Sequence, residues 1–381
     1  MSAPALVAEA AEIPKVEIPP SSNTVTVRVI DTTTRIRMPV GTMFDPPIKG
    51  HTRLASPSYS FLIENEHLGG KVLFDLGTQK LWKEQAPGVV SMIEEFEWDV
   101  TVEKDVADIL QEHGVPLAAI DAIVWSHSHW DHLGDPSTFP TSCDIVVGPG
   151  FLEDCFPDGL EQPEPDCWIK REYYENRKIR EIKAEQFQLD IAGFPAFDYF
   201  GDGSFYLLNS PGHAIGHISA LARTTSNPDT FIFMGGDIAN HPAEFRPSQL
   251  VPLPALISPN PLHHSSSTPC PGHIFDKIHR EGRCNSPFYC IGTWPDGSLT
   301  VEDLSTALES HGKLRLVDAQ CAQVFVILAH DENVGDVIDF FPKSVNAWKK
   351  LGWADRARWM FLGDFKEAVS DYSTEASDTS R

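Results

Sequence analysis

Ser126-His127-Ser128-His129-Trp130-Asp131-His132 directly follows the apolar run Ala122-Ile123-Val124-Trp125. Neutral imidazole and carboxylate are the groups that Zn²⁺ and similar divalent ions prefer, so the chemistry these residues offer is metal binding. His127 and His129 lie two apart and point the same way in extended chain. Asp131 and His132 fall where the chain turns and can reach a neighbouring point. Three further donors follow other apolar runs: His213 after Phe205–Leu208, Asp237 after Phe231–Met234, and His330 after Val324–Ala329. His127, His129, Asp131, His132, His213, Asp237 and His330 are more donors than one four- or five-coordinate Zn²⁺ can use. Two divalent ions about 3.5–4 Å apart, sharing a carboxylate, can use them all. The expected cofactor is such a pair, with Zn²⁺ foremost.

These donors need rigid elements to aim them. Val25, Val27 and Val29 alternate with polar residues, as in a half-buried strand. Tyr59–Ile63 and Lys71–Asp75 read as strands joined by a turn at Asn65–Gly70. Val102–His113 has a helical apolar face and stops at Gly114. Ile120–Trp125, Cys143–Val147, Phe205–Leu208, Ile218–Leu221, Phe231–Met234 and Val324–Ala329 read as further strands. Short strands mixed with helices, several ending in His or Asp, predict one layered α/β domain with its site along a sheet edge. Residues 1–23, rich in Ala, Glu and Pro, read as a flexible segment. The predicted domain spans 24–365, with insertions at 151–203 and 242–315, and 366–381 reads as a polar tail. Loops of such length are often functional, so both insertions are expected to cap the site.

Composition narrows the partners. The chain has 381 residues, 41% hydrophobic and 22% charged, with a formal net charge of −24. That balance argues against nucleic acid, whose phosphates demand Lys and Arg, and against anionic membrane surfaces. A small, largely neutral molecule remains the expected partner. Seven cysteines without a Cys-x-x-Cys fit reduced thiols. The opening Met1–Glu9 has neither a basic region nor a long apolar one, and no run reaches membrane-span length, so the expected compartment is the cytosol.

The ordered set Leu73-Phe74-Asp75-Leu76-Gly77, His127-x-His129-x-Asp131-His132, Pro211-Gly212-His213, Gly235-Gly236-Asp237 and Ala329-His330-Asp331 resembles the metallo-β-lactamase superfamily over roughly residues 24–345. The resemblance implies a four-layer αββα sandwich with long insertions capping the site. It also implies that His127, His129 and His213 hold one metal, that Asp131, His132 and His330 hold a second, and that Asp237 bridges them. Asp75 would support the ligand loop from behind, and His217 would be structural rather than a ligand. An Asp at 131 and a final His at 330 resemble the lactonase and glyoxalase-II-like branches. N-acyl homoserine lactonases commonly carry a Tyr shortly after the bridging Asp. Here Asn240 and His241 stand there as candidate substrate-binding residues, which leaves open a lactone or lactam other than homoserine lactone. The chain also resembles fungal relatives that open lactone or lactam rings of plant and microbial toxins, which implies detoxification or secondary metabolism.

The implied chemistry is hydrolysis by a metal-bridging hydroxide, formed near neutral pH, with Asp131 as the catalytic carboxylate that orients it and carries its proton to the leaving group. Tyr173 and Tyr174 are further candidate donors, and Phe275, Phe288 and Tyr289 candidate apolar lining. Three readings stay open: a lactone or lactam hydrolase, a thioester hydrolase, and a non-hydrolytic protein binding iron.

Overall fold

The computed structural model describes residues 10–160, 168–279, 284–294 and 296–373. Two six-stranded sheets form its centre. The first runs, in spatial order, Thr26–Ile30, Ser60–Asn65, Gly70–Phe74, Ala122–Val124, Asp144–Val147 and Ile179–Glu181. Its first two pairings are antiparallel and the remaining three parallel, with Phe74 beside Val124 and Val124 beside Val146. The second runs Leu189–Ile191, Phe194–Asp198, Phe205–Asn209, Ile218–Thr225, Thr230–Met234 and Val324–Ile327. It is antiparallel except for the last pair, where Met234 lies beside Ile327.

Alternation along the strands sets the layers. Phe61, Ile63, Val72, Phe74 and Val124 of the first sheet meet Phe205, Leu207, Ala220, Ile232 and Ile327 of the second. The intervening residues point outward. Leu62, Leu73 and Ile123 pack under the helix Val106–Glu112, while Leu208, Phe233 and Val326 pack under the helix Leu304–Ala319. Helix, sheet, sheet and helix form the four layers expected. Burying such side chains stabilises the fold by roughly 1.5–3 kcal/mol each.

A side lobe flanks the sandwich. The strands Arg35–Pro39, Arg53–Ser56 and Asp99–Thr101 form a small sheet. Ile36, Leu54 and Val100 from it share a core with Leu253, Phe275 and Phe288 from the 242–315 region and with Phe361 and Phe365 near the C-terminus.

Several boundaries differ from those the sequence suggests. The supposed insertion 151–203 holds three strands of the main sheets, and 242–315 runs into the helix that covers the second sheet. These strands are short and lie at or near sheet edges, so their polarity is mixed and the period-2 signal is weak. Within the supposed flexible segment, residues 10–23 lie along the body: Ala11 N–H donates to Gln249 O (2.9 Å), and buried Arg223 Nη2 donates to Pro19 O (2.6 Å). Residues 1–9 fall outside the described residues. Of the supposed polar tail, Lys366–Ser373 is a helix that buries Val369, while residues 374–381 fall outside the described residues. The helix predicted from Val102 begins at Val106, because Asp105 sits in extended conformation at its N-cap. No helix among the described residues is long and apolar enough to cross a membrane.

Candidate active site

The seven predicted donors converge on one point between the sheets. Ala122–Val124 ends in the loop carrying His127 and His129, and a short helix, Trp130–Leu133, presents Asp131 and His132. Strands of the second sheet end in His213, Asp237 and His330. His127, His129, His213 and Asp237 place their donor atoms within 4.8 Å of one another, and so do Asp131, His132 and His330. Asp237 lies between the groups. Its Oδ2 is 3.5 Å from His213 Nε2 and 3.9 Å from His127 Nε2. Its Oδ1 is 3.1 Å from both His132 Nε2 and His330 Nε2. Asp131 Oδ2 is 3.4 Å from His330 Nε2.

Groups behind the rings fix their orientation. Asp75 accepts from Ser126 N–H (2.6 Å) and Ser126 Oγ (2.8 Å), and its Oδ2 lies 2.9 Å from His132 Nδ1. His330 Nδ1 donates to Pro57 O at 2.6 Å. Both rings therefore carry a proton on Nδ1 and turn Nε2 toward Asp237. A lone pair facing a buried carboxylate at 3.1 Å is repulsive unless a proton or a cation lies between them. His127 Nε2, His132 Nε2 and Asp237 Oδ1 are buried without a hydrogen-bond partner, and His213 Nε2 faces His129 Nδ1 at 2.9 Å. Burial, reinforced by neighbouring histidines, holds His127 and His213 well below the usual imidazole pKa, so both are neutral and ready to ligate. Burial also opposes charge on His132 and His330. The field of Asp237, joined at His132 by Asp75, outweighs it and raises both. Inward lone pairs, orphaned donors and a shared carboxylate fit two divalent cations.

His217 is structural, as expected. Its Nδ1 donates to Ser210 O (2.9 Å), leaving Nε2 to accept the N–H of Asp237 (3.0 Å). Gly236, at φ +54, makes this approach possible, since a Cβ there would lie 2.9 Å from His217 Nε2.

A cavity of about 450 Å³ opens over these donors. His129, Asp131, His213, Asp237 and His330 form its floor. Its walls are mostly apolar: Met38, Met43, Leu54, Met92, Phe96, Trp98, Trp130, Trp168 and Trp294. Trp294 stacks on Phe96 with centroids 5.1 Å apart and on Trp98 at 6.0 Å, and Trp168 leans over His129 at 5.2 Å. Asp296 and Glu302 stand among the lining residues, and no Lys or Arg does among the described residues. Trp168 comes from the first supposed insertion, and Trp294, Asp296 and Ser298–Glu302 from the second. The segments 38–54 and 92–98 also line the cavity, a contribution that their sequence does not signal.

Other residues expected at the cavity, as donors or as lining, lie elsewhere. Tyr173 and Tyr174 are buried under the first sheet; Tyr173 Oη donates to Gln79 and Tyr174 Oη to Leu160 O. Phe275, Phe288 and Tyr289 pack in the side-lobe core. Asn240 does line the cavity. The expected role of His241 in substrate binding is corrected: it caps the turn Pro242–Glu244, its Nδ1 accepting Ala243 N–H (3.1 Å), and its Nε2 meets Asp364 (3.0 Å) on the far side. His51, His241 and Asp364 also cluster closely. An amide donor at Nδ1 fixes the proton of His241 on Nε2, where it donates to Asp364, while His51 Nδ1 is engaged by Tyr289 Oη (2.7 Å), so both histidines have protein hydrogen-bond partners and the trio does not read as a third metal site.

Comparison with known proteins agrees with this geometry. The family model described as the metallo-beta-lactamase superfamily matches residues 53–221. The chain is 42% identical over 363 residues to Gamma-lactamase FDB1 of Fusarium pseudograminearum, covering 92% of this chain and 85% of that protein. It is 39% identical over 362 residues to Metallo-hydrolase mfmC of Annulohypoxylon moriforme, covering 93% and 91% respectively. Its fold is similar to that of a B. thuringiensis AiiA mutant solved with N-decanoyl-L-homoserine at its active site, with a TM-score of 0.56, 17% identity, and coverage of 84% of this chain and 99% of that one.

Proposed function

We propose that this chain, which belongs to the metallo-beta-lactamase superfamily of metal-dependent hydrolases, opens a lactone or lactam ring of a small, largely neutral molecule. The observation that carries the reading is Asp237, set between two donor groups on the floor of an apolar cavity. His127, His129 and His213 would hold one divalent ion, Asp131, His132 and His330 a second, and Asp237 both, with Zn²⁺ suited to the nitrogen-rich set. Two such ions, when bound, supply a water ionised near neutral pH and a Lewis acid for the scissile carbonyl.

The remaining work belongs to the chain. Asp131 faces the cavity within 3.4 Å of His330 Nε2. From there it takes the proton of the attacking water and delivers it to the leaving oxygen or nitrogen. Asn240, on the cavity wall, donates its amide N–H to the carbonyl oxygen as charge develops. The aromatic walls exclude water and seat an uncharged ring. The name of the γ-lactamase relative supports a lactam among the substrates. Seven cysteines without a Cys-x-x-Cys support a reducing, cytosolic setting, in which opening the ring of a toxic or secondary metabolite is the corresponding role.

A thioester hydrolase could use the same donors. It ranks second because phosphate- or carboxylate-bearing carrier thiols would meet Asp296 and Glu302 on the wall and no Lys or Arg there among the described residues. A hydrolysis panel of lactones, lactams, thioesters and phosphotriesters on metal-reconstituted protein tests this. We expect turnover of neutral rings. Preference for anionic thioesters or phosphate esters would overturn the reading.

A further inference from the structure

The turn after Asp237 leaves the strand Thr230–Met234 with backbone donors that no neighbouring strand can take. Two of them, Asn240 N–H and His241 N–H, point at a single acceptor. Glu244 Oε2 receives the first at 2.6 Å and the second at 3.1 Å. The bond is returned, since Glu244 N–H donates to His241 O at 3.0 Å. Glu244 is 6% exposed, and burying a carboxylate costs free energy unless it is well bonded. It borders a pocket of about 10 Å³ together with His213, Asp237, Asn240 and His311. The same Asn240 lines the large cavity. Rotation of the peptide before Asn240 would break the shorter of the two bonds and carry its side chain off the wall.

We infer that Glu244 is a positioning residue that holds Asn240 against the substrate; this rests on the ring-opening reading for Asn240's role. Glu244 touches no substrate. It acts by tying the backbone on either side of Asn240's carbonyl to one buried carboxylate, so the carboxamide meets the carbonyl already oriented. His241 belongs to the same latch as its outer half, which is why its ring faces away from the cavity.

A double-mutant cycle tests the inference. Asn240→Ala, Glu244→Ala, their combination and Glu244→Gln are made in the full chain and reconstituted with metal. kcat and KM are measured on whichever panel substrate the wild type hydrolyses, and metal content is measured alongside. Asn240→Ala and Glu244→Ala should each lower kcat/KM on the order of a hundredfold, mainly in kcat, as for loss of one oxyanion donor. The double variant should lose no more than the worse single, because the two act as a unit. Glu244→Gln, whose carboxamide oxygen still accepts both N–H groups, should stay within about threefold of wild type on the same scale. Metal content should not change. If Glu244→Ala fails to fold, Glu244→Asp, with its carboxylate one methylene short, is read the same way. Additive losses, unchanged turnover, or loss of metal in the Glu244 variants would overturn the assignment. A panel showing thioester turnover alone would instead overturn the ring-opening reading, and a wild type inert on the whole panel would overturn both.

Discussion

The floor and the walls of the cavity belong to two differently built regions. Every donor on the floor follows a strand of the sandwich, and the rings are locked from behind by polar groups: Asp75 on His132, Pro57 O on His330. The walls come from the side lobe and from loops, and Phe96, Trp98 and Trp294 are held chiefly by stacking on one another. Hydrogen bonds specify a direction, whereas stacked rings specify mainly a shape. A floor fixed in direction suits one reaction, and walls fixed only in shape can be altered without rebuilding the reaction centre. The division of labour is therefore chemistry below and substrate choice above.

The sharpest way to break this comparison is Asp237→Ala. Losing the carboxylate shared by both donor groups should remove metal and lower kcat/KM at least roughly a thousandfold, while the far-ultraviolet circular dichroism stays native. Retention of two ions, measured by elemental analysis, with near-normal turnover would mean that the floor is not one unit. Asp75→Ala probes the support behind the floor. It should weaken metal binding about 10- to 100-fold by freeing His132, read by chelator competition. Unchanged affinity would detach the supporting carboxylate from the ligand. Trp98→Ala probes the walls. It should leave metal content intact and shift relative kcat/KM between a small and a bulky lactone by about tenfold. A loss of metal in that variant would erase the distinction between the regions.

The smallest effect is expected of Glu244→Gln, where floor and wall join. Burial pushes the Glu244 carboxyl up to about 7, against a usual value of 4.5. With the folded pKa raised, the native state binds more protons between those values, so this group's contribution to stability is lost as pH rises from about 4.5 through 7. Glu244→Gln does not titrate. Its unfolding midpoint should therefore gain on the wild type by about 2–4 °C across that window and by no more above it. A pH-independent difference would remove the burial argument.

The floor was legible in the sequence because polar donors directly after apolar runs are rare and conspicuous. The order His127, His129, Asp131, His132, His213, Asp237, His330 needed no knowledge of loops. The walls were legible only in part: the long regions 151–203 and 242–315 do supply Trp168 and Trp294, but the contribution of the N-terminal third was hidden. Met38, Met92, Phe96 and Trp98 have the composition of core residues, and only tertiary packing turns them toward a cavity. Asn240 and His241 are adjacent and equally polar, yet one lines the cavity and the other caps a turn; the latch from Glu244 decides which. The strands Leu189–Ile191 and Phe194–Asp198 leave little trace in the sequence because they are short and carry mixed polarity.

Each donor group draws on both sheets. His127 and His129 follow the first sheet and His213 the second; Asp131 and His132 follow the first and His330 the second. A bound ion is thus a rivet driven through the two halves of the sandwich, which otherwise meet chiefly across an apolar seam, with a few polar ties at its edges such as Ile218 N–H to Ser126 O at 2.8 Å. Ions bound at a thousand times their dissociation constant would each add about 4 kcal/mol against separation of those halves. Chelation should then do more than stop turnover: it should let the sheets part at a lower temperature, so that the reaction centre doubles as the fastener of the fold.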